Sequence, residues 1–328
     1  EMDSDFKELD RLVSPGKSAA KVPVLYDRLS TRFKSFTSKE SELQSKLDKI
    51  MSDLNVPIKT VKNMLTAKSK AKGIPPEITK AIALQENAGL VQFLPNGEVF
   101  SSADQGYGIM QVTRSAVQES QFDWDQVKYD LSANIDNGLD ILMEKWDSTG
   151  RVLPAVNTHN KSVLEDWYFA IMAYNGIGQR NNPTNINAYQ MKVYSYVINN
   201  AINNDLLNPE IPKDIKFAVD PQTGIMSFKE KMSYETSKQT YSGQLFNAGD
   251  KVTLKGITNL RPEPNTSKPA ERLSTNTKIS IVEAGIEDNL KVNLFNWYKV
   301  KVEGSNKIGY IASNNFIQQI ISDAAIRK

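Results

Sequence analysis

One carboxylate on an otherwise apolar helical stripe is the most informative chemistry in the sequence. Ile78, Ile82 and Glu86 follow one another at intervals of four, so the three side chains share one helix face and Glu86 is expected to point inward, not at solvent. Burial disfavours a charged carboxyl, and the negative end of the helix dipole, where Glu86 falls, acts in the same direction. Both push its pKa upward, as a general acid working near neutral pH requires. A buried glutamate satisfied by a lysine or arginine produces the same pattern, so periodicity leaves both readings open. With no Cys in the chain, disulfides, thiolate nucleophiles, Cys-ligated zinc and iron–sulfur clusters are excluded. His159 is the one histidine, too few for a multi-imidazole metal site. In the polar run Asn157-Thr158-His159-Asn160 it is expected to be an exposed loop residue. No metal and no cofactor are expected; carboxylates, hydroxyls, amides and lysines form the catalytic equipment.

The helix that positions Glu86 opens at Gly73-Ile74-Pro75-Pro76-Glu77, where proline near the first turn and an acidic residue beside the positive helix end mark a start, and it stops before Gly89. A long loop over 88–107 follows. Ile135, Leu139, Leu142, Met143 and Trp146 make one further helical stripe, and Val163, Trp167, Ala170, Ile171 and Tyr174 another. A last helix is predicted from about Tyr189 to Ala201, before the prolines Pro209, Pro212 and Pro221. Residues 1–72 read as a helical prefix, with Leu25, Leu29, Phe33 and Phe36 on one face and Leu43, Leu47, Ile50, Met51 and Leu54 on a second. From about residue 247 the texture changes to short β-rich runs bounded by Gly and Pro, and residues 213–246, with Pro221, Gly224 and many Lys, Ser and Thr, read as a flexible connector. The fold class expected is therefore α+β and multidomain: a helical N-terminal region (1–72), a helical catalytic domain (73–212), a linker (213–246) and a small C-terminal β-barrel (247–328).

The chain's 40 basic and 38 acidic residues are unevenly spread. Residues 1–72 carry 15 basic and 10 acidic (+5), residues 73–212 carry 8 and 16 (−8), and residues 213–328 carry 17 and 12 (+5). Basic ends around an acidic centre suit an anionic partner met by the ends. The acidic helical centre and the lack of any recognised nucleic-acid motif argue against nucleic acid as partner. No apolar run reaches the roughly 18 residues of a membrane span, and the first residues lack the basic-then-apolar pattern of a secretory signal, so localisation is expected to follow from function.

Four segments in order resemble the soluble lytic transglycosylase domain, a goose-lysozyme-like fold: Glu86-Asn87-Ala88-Gly89; Gly106-Tyr107-Gly108-Ile109-Met110-Gln111-Val112; Asn134-Ile135 with Gly138; and Ala173-Tyr174-Asn175-Gly176. The resemblance covers about residues 70–207. It departs from the family at Asn87, where Ser is usual. It implies that Glu86 is the sole catalytic carboxyl, acting on the β-1,4 bond between N-acetylmuramic acid and N-acetylglucosamine of peptidoglycan glycan strands. It also implies that Tyr107, Gln111, Tyr174, Asn175 and Tyr189 contact substrate. A hydrolytic muramidase of the goose-lysozyme type is the nearest alternative and needs a second, water-positioning carboxyl, for which Asp104 is the candidate and Glu98 a weaker one. A non-catalytic wall-binding or assembly protein is the remaining one.

Residues 247–320 resemble a bacterial SH3-type (SH3b) wall-binding domain through Asn259-Leu260-Arg261, Trp297-Tyr298-Lys299-Val300 and Gly309-Tyr310-Ile311-Ala312, departing from it at the turn Pro262-Glu263-Pro264. The resemblance implies that Arg261, Trp297, Tyr298 and Tyr310 hold an anionic wall polymer or a stem peptide. Together the two resemblances imply an extracellular or wall-associated enzyme, secreted by a bacterium or carried by a phage.

Overall fold

A computed structural model describes residues 7, 38–54, 56–114, 122–199, 207–254 and 256–316. The stripe expected at Leu25, Leu29, Phe33 and Phe36 lies outside them, as does Ala201. In chain order the described helices are α1 (Ser38–Asp53), α2 (Ile58–Ala71), α3 (Pro76–Glu86), α4 (Trp124–Tyr129), α5 (Leu131–Ser148), α6 (Tyr168–Tyr174) and α7 (Tyr189–Asn199). The strands are β1 (Ala155–Val156), β2 (Ala218–Val219), β3 (Met226–Ser227), β4 (Ser233–Tyr234), β5 (Lys251–Thr253), β6 (Thr258–Leu260), β7 (Glu271–Leu273), β8 (Lys278–Ile286), β9 (Trp297–Val302) and β10 (Ile308–Ala312). No helix among the described residues is long and apolar enough to cross a membrane. The chain divides into two compact units, Glu1–Pro57 with Glu86–Gly138, and Ile58–Gln85 with Leu139–Lys328.

In the first unit, Lys46 and Lys49 of α1 pair with Asp125 and Asp130 at 3.7 and 3.1 Å. Asp123 caps α4, its Oδ1 accepting from the amides of Asp125 and Gln126. Asp130 closes α4 and opens α5 by accepting from the Ala133 amide. The predicted stripe on α5 is interior at Ile135, Leu139, Leu142 and Trp146, with Met143 half-buried. The expected loop at 88–107 is not featureless, since isolated bridges pair Phe93 with Val99 and Ser101 with Tyr107.

The second unit is built on α6, whose residues from Tyr168 to Ala173 are all buried. His159 is not the exposed loop residue its polar neighbours suggest. Its ring stacks on Trp146 (4.1 Å between centroids, 11° between planes), Trp146 in turn meets Trp167 at 4.2 Å, and His159 Nε2 lies 2.6 Å from Thr149 Oγ1. A left-handed backbone at Asn157 and His159 (φ 49° and 57°) makes the turn that brings the ring in. Asp166, itself buried, holds that turn by accepting from Asn157 Nδ2 and the Asn160 amide, both at 2.7 Å.

Residues 213–246 are not the free connector that their composition suggests. β4 pairs in parallel with β1, β2 pairs with β3, and Phe228 and Tyr234 pack on Phe169 of α6 at 5.5 and 5.8 Å. Three aromatic residues, Phe217, Phe228 and Tyr234, give this segment enough apolar surface to dock where a Ser- and Lys-rich tether would stay in water.

The C-terminal strands form a four-stranded antiparallel sheet in the order β10-β9-β8-β5, with a separate β6-β7 ribbon. Its interior is Val252, Leu254, Leu260, Leu273, Ile279, Ile281, Tyr298, Val300, Ile311 and Phe316. The expected closed barrel is not found among the described residues: the ribbon meets β10 by one bridge, Arg261 to Tyr310, and β8 breaks register twice between Ile281 and Ile286. Tyr298 donates from its hydroxyl to the Gly243 carbonyl at 3.0 Å, joining the sheet to residues 240–246.

A Cβ at Gly243 would lie 2.2 Å from the Ser313 carbonyl oxygen. Gly243→Ala is therefore expected to lower stability by about 1–3 kcal/mol in urea unfolding. Asp166 sets a pH dependence. Burial pushes its carboxyl up to about 6, against the lowering effect of its hydrogen bonds. The folded state thus holds that proton more tightly than the unfolded chain, and stability present below about pH 4 is lost as pH rises to about 6, by up to about 2 kcal/mol. Asp166→Asn is expected to flatten the slope of the urea midpoint across that window.

Candidate active site

Glu86 is the last residue of α3. Ile78 and Ile82 are wholly buried and Glu86 is half-buried, so the acid sits at the open end of the stripe on which periodicity places it. The turn that follows is shaped by Asn87, whose Oδ1 accepts from the Gly89 amide at 3.1 Å and whose Nδ2 donates to the Val91 carbonyl at 2.6 Å. The asparagine that departs from the family pattern thus closes the turn immediately after the acid.

Two buried carboxamides organise the rest of this unit. Asn134 donates from Nδ2 to the carbonyls of Tyr107 and Val127 (2.8 and 2.9 Å) and accepts at Oδ1 from the Met110 amide (3.0 Å). Gln92 donates to the carbonyls of Val127 and Lys128 and accepts from the Ile109 amide. Between them they pin the Gly106–Gln111 segment. Gly108 must be glycine, for its φ is +73° and a Cβ would fall 2.3 Å from Gln92 Oε1. Gln111, half-buried at φ 49°, donates from Nε2 to the Gly108 carbonyl at 2.8 Å. Tyr107 is buried, paired through its backbone with Val112, and its ring lies 5.2 Å from Lys128 Nζ, so its side chain is largely interior. Asp104 is exposed and accepts from the Ser102 hydroxyl, within the turn that precedes Gly106.

In the second unit, the structure brings Tyr174, Asn175 and Tyr189 together. The Tyr174 and Tyr189 rings stack at 6.5 Å and 20°. Asn181, buried and not singled out by any sequence pattern, joins them: its Nδ2 donates to Asn175 Oδ1 (3.1 Å) and to the Gly176 carbonyl (2.8 Å), while its Oδ1 accepts from the Tyr189 amide (3.3 Å). An open groove of about 580 Å³ is lined by Gln85 of α3 and by Lys192, Ser195, Tyr196 and Asn199 of α7. None of these five was marked by its sequence context. In the C-terminal region Trp297 and Tyr298 are buried, Trp297 against Phe295 and Tyr298 against Phe316, and Trp297 also lines a pocket of about 400 Å³ with Asn265, Asp288 and Asn293. Arg261 and Tyr310 remain partly accessible, with the Arg261 guanidinium donating to the carbonyls of Thr266 and Lys268.

A helical domain with one carboxyl at the end of its first motif helix and a Gly-rich segment pinned by buried amides is lysozyme-like in character. Residues 63–197 match the family model described as the transglycosylase SLT domain, a lysozyme-like helical domain whose family cleaves glycosidic bonds of peptidoglycan. No curated protein and no solved structure matches the chain. The likeness to the SLT domain is thus confined to residues 63–197, and a strand-rich C-terminal region follows.

Removing Asn134's amide would break three buried hydrogen bonds at once, to the Tyr107 and Val127 carbonyls and from the Met110 amide. Asn134→Ala is expected to cost about 3 kcal/mol in urea unfolding. Asn137→Ala one turn on, where a half-buried amide donates only to the Ala133 carbonyl, should cost about 0.5 kcal/mol.

Proposed function

We propose that the protein is a peptidoglycan lytic transglycosylase in which Glu86 is both acid and base. Protonated Glu86 gives its proton to the glycosidic oxygen between N-acetylmuramic acid and N-acetylglucosamine, and the bond from that oxygen to the muramic anomeric carbon breaks. The substrate's own acetamido group stabilises the positive anomeric centre. The Glu86 carboxylate then takes the proton of the muramic C6 hydroxyl as that oxygen closes on the anomeric carbon. The product is a 1,6-anhydro ring, no water is consumed, and Glu86 is returned protonated.

The observation that carries this reading is the position of Glu86 inside the SLT match, half-buried at the end of α3, while Asp104 is exposed and engaged by Ser102. A hydrolytic muramidase needs a second carboxyl to activate water, and an exposed turn residue suits that role poorly. Tyr174 and Asn175, backed by the buried Tyr189, supply an aromatic and amide surface of the kind that binds acetylated sugars, with Gln111 as a further candidate and Tyr107 shaping the segment that carries it. The C-terminal strands serve as an SH3b-type module that holds an anionic wall polymer or stem peptide through the accessible Arg261 and Tyr310, assisted by the basic excess of residues 213–328. Substrate and module together suit a protein acting in the cell wall or outside the cell, delivered by a bacterium or a phage.

Glu86→Gln keeps the size of the side chain and removes its acidic proton. Lysis of purified sacculi should fall on the order of a hundredfold or more with the fold intact by circular dichroism. Asp104→Asn should remain within about threefold of wild type, as expected of a surface substitution away from the chemistry. Activity of Glu86→Gln within a few-fold of wild type would remove the assignment of the acid.

A further inference from the structure

Two lysines that an isolated helical domain would show to solvent are interior in this chain. Lys62 of α2 and Lys80 of α3 are both wholly buried, and so is Glu287, the residue after β8. Glu287 Oε1 accepts from Lys80 Nζ at 2.7 Å and from Thr66 Oγ1 at 2.6 Å, and its Oε2 lies 3.3 Å from Lys62 Nζ. Lys62 also reaches Asp288 Oδ1 (2.8 Å) and the Leu290 carbonyl (3.1 Å), so two lysines meet two carboxylates. Two residues just before the C-terminal sheet complete the contact. Gln244 accepts from Lys80 at 2.9 Å and donates to the Leu294 carbonyl, and the Ser242 hydroxyl donates to Glu77 Oε2 on α3.

The sequence builds this contact deliberately. The register breaks in β8 and the left-handed Gly285 (φ +71°), whose Cβ position would lie 3.6 Å from Thr66 Cγ2, turn the end of the strand onto α2 and carry Glu287 to the lysines. An ammonium taken wholly out of water is stable only with its partners in place. The strands are thus locked to α2 and α3 by charge, and a tethered module would have no need of such a lock.

We infer that the C-terminal strand region is fixed to α2 and α3 and that Glu287, through Lys80, is a positioning residue for the helix that ends in Glu86. Glu86 lies six residues, about one and two-thirds turns, beyond Lys80 on α3. A shift of that helix by even 1 Å would misplace the acid, an error able to cost up to about a hundredfold in rate. The inference rests on the proposed function for its kinetic consequence and on geometry alone for the docking.

The test uses the full chain with two graded variants, Thr66→Val, which removes one hydrogen bond to Glu287, and Glu287→Gln, which strands Lys80. Hydrogen exchange of the α2 and α3 amides and steady-state cleavage of a soluble peptidoglycan tetrasaccharide are read on both, below their melting transitions. Glu287→Gln should speed exchange in α2 and α3 and lower kcat, each by about tenfold or more, with KM within about threefold. Thr66→Val should do the same to a smaller degree, so the gradation survives even where Glu287→Gln does not fold. A double variant, Lys80→Met with Glu287→Leu, removes the Lys80–Glu287 pair together while Lys62 keeps Asp288, and should bring kcat back to within about threefold of wild type. A purely structural role predicts lower melting temperatures with kcat unchanged; folded variants with wild-type exchange and wild-type kcat overturn the inference. If the wild-type chain cleaves no glycan, the proposed activity fails, while the exchange measurement still decides the docking.

Discussion

The second unit depends on where Glu287 sits. A carboxylate at zero exposure is tolerable only because two ammonium groups and a hydroxyl answer it, and Lys62, Lys80 and Thr66 are as deeply buried as Glu287 itself. The consequence runs through α3. Its Ile78 and Ile82 face is covered by apolar packing, its Lys80 and Glu77 are covered by residues 242–244 and 287, and every residue from Pro76 to Leu84 is buried. A helix buried on all sides has little freedom to shift, which is what the acid–base role proposed for Glu86 at its end would require of its support.

The same economy governs the irregular segments of each unit. Having neither cysteine nor a cluster of histidines, the chain uses carboxamides to fix irregular backbone. Gln92 and Asn134 each satisfy three main-chain groups of the 107–110 and 127–128 segments; Asn87 does this for the turn after Glu86, and Asn181 for the Tyr174–Tyr189 pair. Buried amides of this kind act at short range with defined direction, so the loops they hold are specified as tightly as helices are by their ladders.

Much of this was legible from one sequence because it is periodic. The bounds of α3, the stripes on α5 and α6 and the change to β texture near residue 247 are local patterns, and the four motifs around Glu86, Gly106, Asn134 and Tyr174 all fall inside the SLT match at 63–197. What local reading missed depends on distant partners. His159 looks exposed because its neighbours are polar, yet its ring is drawn in by Trp146 from α5. Residues 213–246 look like a tether because Lys and Ser outnumber their aromatics, yet Phe228 and Tyr234 suffice to dock them. Tyr298, expected at the ligand surface with Trp297, is wholly buried, since alternation along a strand does not say which side another segment will cover. Lys62, Lys80 and Glu287 carry no local signal at all, because only the fold brings positions more than 200 residues apart into one site.

The claim that one carboxyl does both proton transfers is tested most directly by the chemistry of the new sugar end. Sacculi digested by the full chain should yield, by mass spectrometry, muramic products lighter by one water than their reducing counterparts, with the 1,6-anhydro ring intact and no oxygen-18 incorporated from labelled solvent. Reducing ends carrying solvent oxygen as the main product would contradict the account and assign the enzyme to hydrolysis.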